Sequence, residues 1–172
     1  LLYITEPMVV KFHQLLSGHR LEGIWHSGSP MGMIIHGTRG VNICVPRNMT
    51  KAAGFYNTLM ASNEPAMVVE CLNSYRVKEK LPTNMGEFRT PLGIPETTKE
   101  GSDITIVTYG STWRIVTEAA NQLDEFGISA EVIDIQTLVP LDINKTMIDS
   151  LKKTNRLLVV DEDVPGLSLI HI

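Results

Sequence analysis

Short apolar runs alternate with amphipathic stretches in the first 71 residues. The runs are rich in β-branched residues and too short for helices, which predicts buried strands at Pro7–Phe12, Val41–Val45 and Ala66–Glu70. Between the last two strands, Thr50–Met60 carries an apolar face at helical spacing, with Thr50 as the predicted N-cap. A strand, a helix and a strand at this spacing predict a βαβ unit with parallel strands.

The pattern changes at Tyr75 and becomes regular again at Asp103. Prolines, charges and glycines without periodicity predict an extended linker over Tyr75–Ser102. Beyond it we expect three strands and two helices. In chain order these are strand Asp103–Tyr109, helix Thr112–Phe126 ended by Gly127, strand Ala130–Ile135, helix Leu141–Lys153 and strand Arg156–Asp161. The predicted fold class is therefore α/β, with two parallel-sheet βαβ layers.

Composition narrows the class of protein. The 172 residues carry a formal net charge of -4 and are 43% hydrophobic, which is typical of a globular protein with one or two small domains. The acidic balance argues against nucleic acid as a partner, and no apolar run approaches the roughly 18 residues of a membrane span. Cys44 and Cys71 lie inside apolar runs without metal-ligand spacing, so we predict buried thiols in a reducing, cytoplasmic compartment.

Candidate chemistry is concentrated in the stretch GHRLEGIWHSGSP, residues 18–30. Glycines exclude a regular helix or strand here, and histidine is the side chain whose pKa lies nearest neutrality. The turn YGSTW after the Asp103 strand opens a helix and could hold an anion, although most strand-to-helix junctions have such a turn. The motifs GxGxxG, GxxxxGK[ST], HExxH and CxxC are absent from the sequence.

Several phrases together resemble one enzyme family. PLG, DITIVTYGS, GISAEVIDIQTLVPLD and KKTNRLLVVDED follow one another between residues 90 and 163. In this order they resemble the C-terminal domain of the beta subunit of thiamine-diphosphate-dependent 2-oxoacid dehydrogenases. Upstream, IWHSGSP and the stretch from VNICVPRN to VVECLNSY resemble the end of the pyrimidine-binding domain of the same subunits.

The resemblance implies a transketolase-like organisation. Residues 1–75 are the C-terminal part of a pyrimidine-binding domain, residues 76–102 are a linker, and residues 103–172 are part of a transketolase C-terminal-like domain. The same resemblance implies that His26 is catalytic, at the substrate end of the thiamine channel, with Ser27 and Ser29 shaping the loop. The alternative for His26 is a packing residue that caps the following helix.

The resemblance also implies cofactors and partners. The full enzyme binds thiamine diphosphate and magnesium, oxidatively decarboxylates a 2-oxoacid and transfers the acyl group to a lipoyl-bearing acyltransferase. The GDG motif that holds the diphosphate and magnesium in the family is missing here, so we expect this piece alone to be inactive and without bound cofactor. Ser62 replaces an aspartate of the family's potassium site, and we predict no metal.

Two other interpretations stay open. A transketolase or deoxyxylulose-phosphate synthase would share the domain and transfer the activated unit to an aldehyde. A non-catalytic module would use the same domains only for dimerisation or assembly. All three interpretations predict self-association into a dimer or a higher oligomer, because a piece of a larger sheet leaves apolar faces and strand edges uncovered.

Overall fold

A computed structural model describes residues 9–14 and 31–161. In this part the elements are, in chain order, β1 (Val9–Gln14), α1 (Met31–Gly37), β2 (Asn42–Cys44), α2 (Met49–Met60), β3 (Ala66–Cys71), a 3-10 helix (Leu72–Arg76), β4 (Glu96–Lys99), β5 (Ile104–Thr108), α3 (Thr112–Glu125), β6 (Ala130–Asp134), β7 (Thr137–Val139), α4 (Thr146–Thr154) and β8 (Leu157–Val160). The strands form two sheets with helices packed on them, which confirms the predicted α/β class.

The first sheet has the strand order β1-β3-β2-β7. β3 pairs in parallel with both β1 and β2, and α2 connects β2 to β3, so the predicted βαβ unit is present. β7 adds to the far side of β2 in antiparallel orientation. β7 was not predicted from the sequence, since three residues soon after a buried strand have no periodicity of their own.

α2 begins one residue earlier than predicted, and its N-cap is different. Asn48 has an extended backbone, and its side chain accepts a hydrogen bond from the Lys51 amide at 2.9 Å, whereas Thr50 already lies inside the helix. Asparagine and threonine are both good N-caps, so the choice between them depends on backbone geometry. Phe55 and Leu59 from α2 pack with Cys44 and Val68 on one face of the sheet.

The second sheet has the order β4-β6-β5-β8, with β5 parallel to β6 and β8. α3 ends at Glu125, and the predicted stop Gly127 follows with a φ of +75° that suits a glycine. Its amide donates to the Asp124 carbonyl, and the Ile128 amide donates to the Leu123 carbonyl. β4 is antiparallel to β6 and lies within the range predicted as linker, where its polar residues gave no strand pattern.

α4 is shorter than predicted, because it starts at Thr146 and not at Leu141. The Asp142 carboxylate accepts hydrogen bonds from the Thr146 and Met147 amides at 2.7 and 3.1 Å. Asp142 and Lys145 both have positive φ, so the chain turns before the helix begins. A carboxylate that satisfies first-turn amides fixes the start of a helix, and apolar periodicity alone does not reveal it.

The two sheets share one hydrophobic core. Ile43 and Val69 of the first sheet, together with Val45 just after β2, pack with Val107 and Ile133 of the second. Gln136 lies between β6 of the second sheet and β7 of the first, so the chain crosses from one sheet to the other at this residue. The Gln136 carbonyl accepts a hydrogen bond from the Val45 amide at 2.8 Å. Both cysteines are buried, as predicted. No helix in the described ranges is long and apolar enough for a membrane crossing.

Candidate functional site

The loop singled out in the sequence, with His26, Ser27 and Ser29, lies outside the described residues. What the structure describes is the element that follows it. α1 starts at Met31, and Met31 and Ile34 are buried in the core that both sheets share. The chain therefore enters the core directly after the histidine loop, while the roles of His26, Ser27 and Ser29 stay predictions.

A cleft lies where strands from both sheets end. β2, β3 and β5 all run toward it, and in open α/β sheets this carboxyl edge is where ligands bind. The cleft encloses about 320 Å³. Its walls come from the turn after β2, the segment after β3 and the first turn of α3, and they include Arg47, Asn48, Ser74, Val77, Glu79, Ser111, Thr112, Trp113, Arg114 and Ile115.

Arg47 forms the charged back wall of this cleft and joins the two sheets. Its guanidinium donates to Asp134 at the end of β6 at 2.7 Å and to Glu96 of β4 at 3.0 and 3.2 Å. Lys51 of α2 forms a second ion pair with Glu96 at 2.5 Å. The Arg47 guanidinium also lies 4.9 Å from the centre of the Trp113 ring, close enough for a cation–π contact.

Burial and pairing oppose each other in this cluster. Burial raises the pKa of Asp134 to about 6, although the charge and hydrogen bond of Arg47 act in the opposite direction. For Glu96, burial also favours the neutral form, but hydrogen bonds from Arg47 and Lys51 outweigh it and lower the pKa. The Arg47 pKa is raised, because its carboxylate partners outweigh the effect of burial. At neutral pH the cluster therefore contains two cations, Arg47 and Lys51, and the ionised carboxylate of Glu96. The fourth member is Asp134, with its pKa of about 6.

The N-terminus of α2 borders the cleft, but its amides are already occupied. The Glu79 carboxylate accepts from the Met49 and Thr50 amides at 3.0 Å each, and it accepts from the Thr50 hydroxyl at 2.7 Å. Asn48 accepts from the next amide. A negative side chain at this position satisfies both the unpaired N–H groups and the helix dipole. An external anion therefore has no amide to bind at this helix start.

α3, unlike α2, begins after a glycine turn and without a capping side chain. Gly110 takes a positive φ of +58°, and a Cβ there would approach the Val45 side chain to 3.0 Å, so this turn requires glycine. The Ser111 side chain makes no capping hydrogen bond. The Thr112 hydroxyl instead donates to the Tyr109 carbonyl at 2.6 Å, and Trp113 is held by a hydrogen bond from Nε1 to the Thr98 hydroxyl at 2.9 Å.

A buried carboxylate stands at the carboxyl end of β3. Glu70 is 2% exposed and accepts hydrogen bonds from the phenol of Tyr56, at 2.7 Å, and from that of Tyr75. Burial, together with this carboxylate, raises the pKa of Tyr56. Two phenol donors help to satisfy this carboxylate in the interior.

Metal-binding and nucleophilic chemistry are not evident in the described part of the chain. No group of three or more histidine, cysteine, aspartate or glutamate side chains is arranged there to hold a metal ion. Burial raises the pKa of Cys44 to about 12, which makes this thiol a poor nucleophile at neutral pH.

Four residues of the site were not predicted from the sequence, namely Arg47, Glu70, Glu96 and Asp134. One signal was present, because each of Arg47, Glu70 and Asp134 lies at or just after the end of a predicted buried strand, where parallel sheets collect functional side chains. Nothing in the sequence indicated that Arg47 pairs with Glu96 and Asp134, which are separated from it by 49 and 87 positions along the chain.

Comparison with protein families supports the resemblance. Residues 94–170 match the family model of the transketolase C-terminal domain. The chain is 36% identical over 141 residues to the mitochondrial 2-oxoisovalerate dehydrogenase subunit beta of Chaetomium thermophilum, covering 81% of this chain and 29% of that protein. It is 34% identical over 138 residues to the pyruvate dehydrogenase E1 component subunit beta of Bacillus subtilis, covering 80% of this chain and 41% of that protein.

A third relative carries a different substrate in its name. The beta subunit of an acetoin:2,6-dichlorophenolindophenol oxidoreductase from Bacillus subtilis is 36% identical over 144 residues, covering 84% of this chain and 41% of that protein. Among solved structures, a split-gene transketolase described as an inactive beta4 tetramer superimposes with a TM-score of 0.72 at 20% identity, covering 90% of this chain and 47% of that one. The fold is thus transketolase-like, and the chain spans less than half the length of these proteins.

Proposed function

Because most of this chain is homologous to the beta subunits of 2-oxoacid dehydrogenases, we propose that it forms part of the decarboxylating component of such an enzyme. The complete enzyme would oxidatively decarboxylate a 2-oxoacid and transfer the acyl group to a lipoyl-bearing acyltransferase. The observation that carries the proposal is 34–36% identity to these subunits over about four fifths of the chain. A cytoplasmic location stays a prediction.

In this proposal His26 acts at the substrate. An imidazole with a pKa near neutrality exchanges a proton with the reacting molecule, or donates a hydrogen bond to its carboxylate or to the arriving lipoyl group. Ser27 and Ser29 shape the loop around it. The cleft beside Arg47 lies at the carboxyl edge of the first sheet, and the histidine loop follows strand β1 of the same sheet in the sequence.

The residues of this chain do not fit the diphosphate and magnesium of thiamine diphosphate. The sequence has no GDG motif, and the described residues have no cluster of metal-binding side chains. The cofactor, when bound to the complete enzyme, supplies the electron sink for loss of carbon dioxide. We propose that its diphosphate and its magnesium are held by residues outside this chain.

The 172-residue polypeptide is therefore expected to bind thiamine diphosphate weakly. Calorimetry with magnesium present should give no micromolar binding, because the groups that neutralise the diphosphate are missing. The complete enzyme, titrated under the same conditions, is the positive control. A 1:1 isotherm at micromolar concentration for the polypeptide alone would contradict the proposal.

A turnover assay on the complete enzyme tests the function itself. Release of carbon dioxide from pyruvate or 2-oxoisovalerate, coupled to acylation of a lipoyl domain, is the expected result. Transfer of a two-carbon unit to an aldehyde without lipoyl acylation would favour a transketolase-type enzyme. Assembly with partner subunits but no turnover of either kind would favour a non-catalytic module.

Self-association into a dimer or a higher oligomer is expected in solution. β8 is an edge strand of the described sheet, and exposed apolar side chains surround it, namely Ile148, Leu151, Leu157 and Leu158. Light scattering should give a mass above 19.1 kDa that falls in a Leu158→Glu variant. Phe126→Glu, at a side chain 79% exposed beyond the end of α3, is the control and should leave the mass unchanged. A strict monomer at all concentrations would refute the expectation.

A further inference from the structure

A buried carboxylate lies at the place where the two sheets are joined. Asp134 ends β6 and is completely buried. Its Oδ2 accepts a hydrogen bond at 2.7 Å from Arg47, which follows β2 of the first sheet. Its Oδ1 accepts a hydrogen bond at 3.2 Å from the amide of Gln136, the residue at which the chain crosses to β7. A side-chain contact between the sheets and the crossing of the chain therefore meet at one carboxylate.

A backbone hydrogen bond closes the same place and can report on it. The Val45 amide, just after β2, donates to the Gln136 carbonyl at 2.8 Å. This bond and the two bonds to Asp134 are called the joint below. An opening between the sheets that brings water to Asp134 would separate Val45 from Gln136, so the Val45 amide would then exchange its hydrogen with solvent.

The charged neighbours of Asp134 come from both sheets. Arg47 approaches from the turn after β2, and Glu96 of β4 is the register partner of Asp134 in the second sheet. Lys51 of α2 acts through its ion pair with Glu96. β5 contributes the uncharged Thr108, which is the other register partner. The ionisation of Asp134 is thus set by burial, by one cation in direct contact and by one neighbouring carboxylate.

α3 approaches the joint with an uncharged side chain. The Trp113 ring lies 4.9 Å from the Arg47 guanidinium, and Arg114 of the same helix is exposed. Because Arg47 and Trp113 both line the cleft, a change at the joint also changes the back wall of the cleft.

Ionised Asp134 is less stable in the closed joint than in water. In the closed joint, burial raises the pKa of Asp134 to about 6, although the charge and hydrogen bond of Arg47 act in the opposite direction. In an opened joint water hydrates the carboxylate, and its pKa returns toward the ordinary 3.8. The closed form therefore binds the proton more tightly than the open form. Protonation favours closure, and loss of the proton as the pH rises favours opening.

We propose that Asp134 and Arg47 make the contact between the two sheets a pH-sensitive joint, which proton uptake by Asp134 holds closed and proton loss allows to open locally. The ion pairs of Glu96 do not switch over the same pH range, because hydrogen bonds from Arg47 and Lys51 lower the pKa of this carboxyl and keep it ionised. The inference concerns the motion of the two sheets and does not depend on the proposed enzymatic reaction.

Native-state hydrogen exchange of the ¹⁵N-labelled chain between pH 5 and pH 8 tests the joint. The Val45 amide should exchange through the local opening, whereas the amide of the buried Ala120, within α3, should require larger unfolding. After correction for intrinsic exchange rates, the protection of Val45 should fall about tenfold from pH 5 to pH 8, the ratio given by a pKa of about 6 in the closed form and 3.8 in the open form. Ala120 should stay more protected than Val45 throughout.

Three variants separate the contribution of Asp134 from those of other carboxyl groups. Asp134→Asn removes the titrating group at nearly constant size, so the protection of Val45 should become independent of pH. Asp103→Asn is the matched control and should keep the tenfold fall, because Asp103 also accepts a backbone amide, that of Ser129 at 2.7 Å, but precedes β5 at the opposite end of the sheet. Glu96→Gln removes a negative charge that raises the pKa of Asp134, so the midpoint of the fall should move to lower pH.

Two results on the unmodified chain would overturn the proposal without any variant. Equal protection of Val45 and Ala120 at every pH would show that the joint opens only when the whole chain unfolds. A ¹³C titration of the Asp134 side-chain carboxyl should give a midpoint above the ordinary value, and a midpoint at or below 3.8 would remove the basis of the switch. Among the variants, a pH-dependent fall that persists in Asp134→Asn would assign the titration to another group.

Discussion

Replacing His26 with alanine in the complete enzyme is expected to lower the rate of acyl transfer to lipoamide by about 100-fold to 10,000-fold. The melting temperature should change little, because a residue in a glycine-rich loop contributes little to the core, whereas a positioned proton donor or acceptor contributes directly to the rate. The measurement compares acyl transfer and thermal unfolding of the variant and its parent at the same cofactor saturation.

A second histidine close in the sequence provides the control. His36 lies at the end of α1 and is exposed, so His36→Ala should retain both rate and stability. If His26→Ala melts several degrees lower but keeps its rate per molecule, then His26 is a packing residue and the proposed catalytic role is wrong. A large loss of rate at unchanged melting temperature supports proton exchange at the substrate.

Replacing Arg47 with methionine is expected to destabilise the protein by about 3–5 kcal/mol at pH 8. Methionine keeps much of the volume but leaves the fully buried Asp134 without its cation and removes one partner of Glu96. Urea unfolding monitored by circular dichroism measures the loss. Lys51→Met is the control. Its partner Glu96 is 38% exposed, so it should lose about 1 kcal/mol or less.

The pH dependence of this loss has a definite sign. The folded pKa of Asp134 is already raised to about 6 from an ordinary value of 3.8, so its contribution to stability is present at low pH and lost as the pH rises through 6. Without Arg47 the folded pKa rises further, and Arg47→Met should therefore lose less at pH 5 than at pH 8. The double variant Arg47→Met/Asp134→Asn should recover part of the loss. A loss independent of pH, with no recovery, would contradict this account.

Much of the fold was predictable because its elements are built from local patterns. β3, β5, α3 and β6 lie within two residues of the predicted bounds, since buried parallel strands are continuous apolar runs and α3 has a clear apolar stripe and a glycine stop. The predicted elements were missed or misplaced where the sequence has no periodic pattern of apolar residues. β4 and β7 are short antiparallel edge strands, and the starts of α2 and α4 depend on side chains that cap amides.

The candidate site was less predictable than the fold. The loop with His26 was found from its composition and from the resemblance to a family, and it lies outside the described residues. The cleft was not found, because its walls come from three segments separated by dozens of residues. The turn YGSTW was noted as a possible anion site, and only the structure shows that it faces Arg47 across the cleft.

The sequence by itself determined the α/β class, the βαβ order and the resemblance to 2-oxoacid dehydrogenase beta subunits, because these follow from local periodicity and from the succession of motifs. Only the tertiary structure decided that β7 joins the first sheet and that Arg47 pairs with Glu96 and Asp134 of the second. The physical reason is that a buried charge is stable only beside an opposite charge, and distant segments come together through packing of the shared core, which no local pattern records.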